Sequence, residues 1–236
     1  MKKSFTLILV VCLASLNLYS QCNPFFSLKE GTEYEMEMFN ARDKSNGKIV
    51  YKVQQIEKSD NGFNALIHST MYNKGDKMMH EGEFEMICED GMMKMDMGRL
   101  IPEESLKAIG EDVKPVIEGD YLNIPSNLSV GQELKGGTIS MKIENGGNNM
   151  MGFSSDVEIS NRKVVSKETV TTPAGTFDCF KITFDVKSST KVMGMNMGNT
   201  TGSAEYIAEE VGVVKTETYD KKGKLDGYML LTKFTP

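Results

Sequence analysis

Alternation of apolar and charged residues with a period of two is the feature that most constrains the fold of this chain. Residues 31–39 read GTEYEMEMF, which places Tyr34, Met36 and Met38 on one side and three glutamates on the other. Successive side chains of a β-strand point to opposite faces, so this segment predicts a half-buried strand. Similar segments recur along the chain, separated by turns such as DKSNG, in which Asn46-Gly47 is the expected hairpin dipeptide.

The predicted fold is mainly β, a single antiparallel sheet of roughly 10–11 strands curled into a half-barrel, with one or two short helices. A helix is expected at 101–110, where Pro102 suits the first turn and Gly110 suits the exit. This helix and the glycine-rich loop at 145–152 are the expected lid of the concave face. No Pro-rich or Gly/Ser-rich linker divides the chain, so residues 21–236 are expected to form one domain.

Residues 1–20 predict export. Two lysines precede an apolar run from Phe5 to Leu16, which is too short to span a membrane and is typical of a signal peptide. The expected location is periplasmic or extracellular, in a Gram-negative type of envelope. Cys22 stands just after the expected cleavage site, where a lipid could anchor the chain. Gln21 is larger than the small residue that such processing requires, so lipoprotein anchoring is not favoured.

Charge and cysteine content narrow the possible partners. The chain carries 27 basic and 33 acidic residues, which argues against binding to nucleic acid or to anionic lipid surfaces. After cleavage the cysteines are Cys22, Cys88 and Cys179, and an oxidising compartment then predicts one disulfide and one free thiol. All three pairings remain open. The pairing of Cys22 with Cys88 is favoured because a terminal segment needs fastening.

Methionine is unusually prominent, with 18 residues and no tryptophan. Residues 93–97 and 193–197 both read M-x-M-x-M, so each strand would present three thioethers on one face. Three interpretations compete: flexible core filling, the lining of a cavity for a flexible apolar ligand, and a Cu(I) site to which the segment 78–80 (MMH) could contribute. The candidate ligand-binding residues are Met36, Met38, Met93, Met95, Met97, Met193, Met195 and Met197.

The sequence offers no motif for catalysis. It lacks G-x-S-x-G, H-E-x-x-H and any Cys/His spacing typical of zinc. His68 and His80 are its only histidines, and His68 lies in an alternating strand. The chain is therefore expected not to be an enzyme, and no cofactor or metal is expected.

Two segments carry a resemblance to a known family. Residues 172–182 read TPAGTFDCFKI, a tight turn followed by a strand, and residues 205–215 read EYIAEEVGVVK, two strands with a short break. Together they resemble an exported bacterial family of uncharacterised function, labelled TapB-like, with a PAGTF-x-C-[FY]-K segment and an aromatic-x-A-x-x-V-G-x-V-K hairpin. The family often has tryptophan where this chain has Glu205. The resemblance implies a half-barrel similar in shape to periplasmic lipoprotein carriers of the LolA and LppX kind, whose concave face holds acyl chains.

The expected function is non-catalytic binding of an apolar, lipid-like ligand or of an envelope protein in the concave face. Binding of Cu(I) by the M-x-M-x-M strands is one alternative. A scaffold role through the sheet edges is the other.

Overall fold

The computed structural model describes residues 22–97, 116–142, 154–192 and 195–236. Within these ranges the regular elements are β-strands. The predicted helix at 101–110 and the loop at 145–152 lie outside the described residues. The strands are β1 (Glu33–Asn40), β2 (Ser45–Ser59), β3 (Gly62–Asn73), β4 (Met78–Glu89), β5 (Met92–Asp96), β6 (Val116–Gly119), β7 (Tyr121–Pro125), β8 (Gly137–Lys142), β9 (Ser154–Thr172), β10 (Gly175–Val192), β11 (Met195–Ala208), β12 (Gly212–Tyr219) and β13 (Leu225–Thr235).

These elements form one 13-stranded sheet in the order β6-β8-β9-β10-β11-β12-β13-β1-β2-β3-β4-β5-β7. The described ladders are antiparallel, which confirms the predicted fold class. The strands outnumber the ten or eleven that were expected. The longest of them, β9, is a single strand in which the register with β10 shifts near Asn161, a residue with a φ of 54°.

The two ends of the sheet lie side by side, because β6 and β7 are consecutive in sequence with Asp120 alone between them. β6 pairs with β8, whereas β7 pairs with β5 at the opposite end of the strand order. The backbone N–H of Asp120 donates to the carbonyl of Thr138 at 2.8 Å. The Asp120 carboxylate accepts from the Thr138 N–H at 2.9 Å and from its hydroxyl at 3.1 Å. The sheet is thus nearly closed into a barrel.

Apolar side chains from most of the strands fill the inside of the curled sheet. The largest buried cluster joins β2, β3, β4, β5 and β7 with β9 to β11, and includes Phe84, Met93 and Ile124. A second cluster forms around Met36 on β1, Tyr206 on β11 and Leu231 on β13. Curling places strands that are distant in sequence against one another, which is how a sheet of this length buries its apolar face.

The segment before β1 is fastened to the same core. Cys22 and Cys88 form a disulfide, the pairing favoured from the sequence. Phe25 and Phe26 are buried in the largest cluster. Asn23 is fully buried as well, and its amide donates to the carbonyl of Ile124 at 2.9 Å. Burying a polar side chain costs free energy unless the side chain is hydrogen-bonded, so this contact fixes where the segment lies.

Candidate functional site: the sheet interior and its seam

The structure places the predicted methionines in two different environments. Met93 and Met95 on β5 and Met97 just beyond it are at most 5% exposed. Met36 on β1 is equally buried but belongs to a different cluster, and Met38 is partly buried. The structure therefore brings the first M-x-M-x-M segment into the interior as a single stripe.

The second M-x-M-x-M segment lies elsewhere. Met195 is 66% exposed and Met197 is 60% exposed, at the outer end of β11. Met193 lies outside the described residues. Met195 and Met197 therefore do not line the interior together with Met93, Met95 and Met97.

The place where the two ends of the sheet meet is here called the seam, and its residues are Met97, Asp120, Gly137 and Arg162. The buried methionine stripe ends there, at Met97. Met97 packs with Ile139 of β8 in a separate buried cluster. Gly137 is in such close contact that a Cβ added to it would lie 2.7 Å from the Met97 sulfur and 3.2 Å from Asp120 Cβ. The strands on the two sides of the seam are thus in direct side-chain contact.

Arg162 bridges the seam from β9. Its side chain is 3% exposed, and its Nη1 donates to the carbonyl of Asn123 on β7 at 3.1 Å and to that of Lys135, just before β8, at 2.7 Å. Burial lowers the pKa of this guanidinium, and the charge of Glu205 opposes that shift. A buried cation that holds two carbonyls from opposite sides is a specific clamp. A single arginine inside a strand is normally assigned to the solvent face, so the sequence does not predict this buried position.

The two segments that carry the family resemblance meet in a second feature, the tyrosine–lysine cluster of Lys181, Tyr206, Lys215, Glu217 and Tyr219. Tyr206 on β11 pairs with Lys181 on β10 and with Lys215 on β12. Both lysine ammonium groups lie 5.0 Å from the centroid of the Tyr206 ring. The last residues of both motifs thus contact the same aromatic ring by cation–π interactions.

Glu217 supplies the counter-charge of the cluster. Its Oε2 accepts from the hydroxyls of Tyr206 at 2.7 Å and Tyr219 at 2.6 Å, and its Oε1 lies 2.6 Å from Lys215 Nζ. Burial works to raise the pKa of Glu217, but the hydrogen bonds from Lys215 and the two tyrosines outweigh it and lower that pKa. Burial, followed by the bond to Glu217, raises the pKa of Tyr219 to about 12. The hydroxyls are therefore held as hydrogen-bond donors, and the cluster ties β10, β11 and β12 together.

An open groove of about 560 Å³ lies on the same three strands, beside the turn after β12. Its walls include aromatic, hydroxyl and charged groups, among them Thr183, Phe184, Asp185, Tyr219 and Lys221. Its volume falls within the range of small-molecule sites, but its lining is more polar than is usual for an apolar ligand.

The remaining reactive side chains occupy separate places. His68 on β3 lies 3.9 Å from a carboxylate oxygen of Glu81 and 3.8 Å from one of Glu83. Cys179 is fully buried, and burial raises the pKa of its thiol to about 11. In the described part of the chain, no three His, Cys, Asp or Glu side chains are grouped so that they could hold a metal ion. Nor do those residues include a helix that is long and apolar enough to cross a membrane.

Comparison with known proteins gives a family and a fold. Residues 29–231 match the model of a family described as DUF3108-like. A Bacteroides fragilis protein, described as a candidate exported protein with a YmcC-like fold, matches with a TM-score of 0.71 and 24% identity, over 91% of this chain and 100% of that one. A candidate lipoprotein from Parabacteroides distasonis matches with a TM-score of 0.71 and 23% identity over the same shares. The search of curated proteins returned no match. At such identities the likeness shows a common fold, and the LolA and LppX likeness stays a prediction.

Proposed function

The chain belongs to the DUF3108-like family, and on this premise we propose that it is an exported, non-enzymatic protein that binds a flexible apolar ligand, such as an acyl chain, inside the curled sheet. The observation that carries the proposal is the buried stripe of Met93, Met95 and Met97, which ends at the seam. The signal-like segment at 1–20 supports export.

Methionine suits such an interior. Its side chain is unbranched, has three rotatable bonds and carries a polarizable sulfur, so it can repack around a guest of irregular shape. The interior is filled by side chains in the described conformation, and a ligand would enter by displacing them. Met97 is well placed for this role because it contacts both sides of the seam.

The seam is held mainly by side chains, with one backbone hydrogen bond from the Asp120 N–H to the Thr138 carbonyl. Within the described ranges, one edge of β7 is hydrogen-bonded to β5 as a strand ladder. At its other edge, which faces the seam, the Arg162 guanidinium links the carbonyl of Asn123 to that of Lys135. Opening the seam replaces a few hydrogen bonds within the protein by hydrogen bonds to water, whereas separating two paired strands breaks a whole row of backbone hydrogen bonds. The seam therefore supports an entry route that leaves the remaining sheet intact.

The test has two parts. The exported protein is purified from the envelope without detergent, and its bound material is extracted and analysed by native and lipid mass spectrometry. The emptied protein is then titrated with the fluorescent apolar probe N-phenyl-1-naphthylamine, with palmitate as competitor. We expect a stoichiometric acyl compound in the first part and competitive probe binding in the second. Absence of both would refute the proposal.

A triple change of Met93, Met95 and Met97 to Leu separates the apolar ligand from Cu(I). Leucine keeps the apolar volume but removes the thioether, so probe binding is expected to persist, whereas a Cu(I) site would disappear. The matched control changes the exposed Met195 and Met197 to Leu, which should affect neither measurement. Tight Cu(I) binding that only the triple variant abolishes would favour copper handling instead.

A further inference from the structure

The open groove beside the turn after β12 is built around a glycine. Asp185 on β10, Gly202 on β11 and Tyr219 on β12 are directly opposite one another in the two strand ladders, and all three line the groove. Directly opposite residues of antiparallel strands share a face, so Asp185 and Tyr219 stand on either side of Gly202. Neighbouring strands lie about 4.8 Å apart, so β10 and β12 are about 10 Å apart here, with no side chain between them.

The fold itself does not require glycine at position 202. A Cβ added there would lie 3.6 Å from the Tyr219 Cβ, which is an ordinary van der Waals contact, and the φ of Gly202 lies outside the left-handed region. Glycine inside a strand costs about 0.5–1 kcal/mol relative to alanine. A strand glycine often marks a place where a ligand or another backbone approaches closely. Since no backbone contact explains Gly202, we interpret the gap above it as space for a ligand.

Tyr219 is a fixed aromatic wall on one side of this gap. Its hydroxyl donates to Glu217 Oε2 at 2.6 Å, and the same oxygen accepts from Tyr206 at 2.7 Å. The side chain is partly buried. A ring that is already held in place provides apolar contact area without a large further loss of side-chain freedom on binding.

Asp185 is an oriented hydrogen-bond acceptor on the other side. The Asn161 amide donates to Asp185 Oδ2 at 2.7 Å, and Asn161 also lines the groove. Asn161 has a φ of 54° and lies near the point where the register between β9 and β10 shifts. Such irregularities re-aim side chains. A carboxylate has about four lone-pair sites, so most of the acceptor capacity of Asp185 remains for a ligand.

The remaining lining is mainly hydroxyl-bearing. The side chains of this kind in the groove are those of Thr183, Thr200, Thr201 and Ser203. Asp220 and Lys221 add one carboxylate and one ammonium group from the turn, so together with Asp185 the charged groups of the lining are two anions and one cation. Hydroxyls can donate and accept, whereas ionised carboxylates only accept.

This chemistry separates the classes of small molecule that could bind. The two carboxylates oppose an anion, and the polar lining does not suit a wholly apolar ligand. A simple amine meets Lys221 and cannot accept hydrogen bonds from the hydroxyl groups. A neutral ring that bears several hydroxyls can donate to the carboxylates, accept from Lys221 and exchange hydrogen bonds with the threonines, while its C–H face packs on Tyr219.

We propose that the open groove binds a neutral saccharide, with the C–H face of one sugar ring against Tyr219 and its hydroxyls donating to Asp185. The volume of about 560 Å³ is within the range of small-molecule sites. None of the residues that carry this inference belongs to the buried methionine stripe, so the inference stands independently of the apolar ligand proposed above.

The probe is an array of immobilised neutral, N-acetylated, sulfated and amino-substituted saccharides, overlaid with the labelled whole exported protein. We expect binding to neutral members, and the strongest of them is then titrated as a free sugar by isothermal titration calorimetry. Binding to both forms supports the proposal for a single sugar, and binding only to the immobilised chain supports it for a longer glycan.

Gly202→Val tests the gap directly. The valine side chain would occupy the space between Asp185 and Tyr219, so saccharide binding should weaken by about tenfold or more. β-branched residues suit strands, so unfolding in urea should show no loss of stability.

Asp185→Asn provides a second test that does not depend on the folding of the glycine variant. It keeps the shape of the side chain but removes the charge, and should weaken binding by about tenfold. The matched control is Asp156→Asn, an exposed carboxylate of β9 outside the groove lining, which should leave binding unchanged. Absence of binding to every neutral saccharide, a preference for sulfated or amino-substituted ones, or binding that survives Asp185→Asn undiminished would overturn the proposal.

Discussion

Removal of the Cys22–Cys88 disulfide by changing both residues to Ala is expected to lower the free energy of unfolding by about 4 kcal/mol at 25 °C. The two cysteines are 66 residues apart. Closing a loop of that size removes about 15 cal/mol/K of entropy from the unfolded chain, which corresponds to the figure above. The native state is also expected to lose packing, because the bridge fastens the segment that places Phe25 in the main core.

The assay is equilibrium unfolding in urea, followed by circular dichroism because the chain has no tryptophan. Reduction of the unaltered protein provides a control, since it opens the same loop without deleting any atoms and should produce a similar loss. Cys179→Ala should shift the stability by the same amount with the bridge intact or reduced, because its thiol is not part of the bridge. A double variant that stays within about 1 kcal/mol of the oxidised protein would refute the reasoning.

Three further changes test the cluster, the seam and the N-terminal segment. Because the fold lowers the pKa of Glu217 below its ordinary 4.5, its carboxylate stabilises the fold above that pH and the contribution is lost as pH falls through the lowered pKa. Glu217→Gln should therefore flatten the decline of unfolding free energy below that pH, and an unchanged acid profile would contradict this role. Gly137→Ala should lower the free energy of unfolding by about 1–3 kcal/mol, because the added methyl group overpacks against Met97. Gly75→Ala, in an exposed turn where a Cβ has ordinary spacing, should lower it little. Equal melting temperatures for the two variants would argue against a tightly packed seam. Phe25→Ala should cost about 3–5 kcal/mol in urea unfolding, and a loss of less than about 1 kcal/mol would show that the segment is not part of the core.

The fold class was predictable because it depends on a local rule. Alternation at Tyr34, Met36 and Met38 requires one buried face, and repeated strands of that kind must close on themselves to bury it. The turn between β1 and β2 was predicted less well. It lies at 41–44 with Asp43 at a φ of 57°, and not at Asn46-Gly47. Gly47 lies within β2, where a Cβ would come within 2.1 Å of the carbonyl of Tyr72. This glycine is thus required by contact with a neighbouring strand, which a local sequence rule does not reveal.

The candidate site was predicted only in part, for a related reason. Residues 93–97 and 193–197 carry the same pattern, and the pattern indicates a shared face without indicating what covers it. β5 lies between β4 and β7, so its methionines are buried, whereas the outer end of β11 extends beyond β12 and leaves Met195 and Met197 exposed. The buried position of Arg162 was not predicted, because the carbonyls that its side chain binds are distant in sequence. One comes from β7 and the other from the residues before β8.

The crossing at Asp120 sets an upper limit on how far the interior can open. A chain extends by at most about 3.3–3.6 Å per residue, so Gly119 at the end of β6 and Tyr121 at the start of β7, two steps apart, remain within about 7 Å of each other in any conformation. The wall cannot unroll into a flat sheet. It can only part as a slit that is pinned at Asp120 and widens away from it. For the proposed apolar ligand, such an aperture would admit a thin, linear molecule end-on and exclude a bulky rigid one, so molecular width would limit entry independently of polarity.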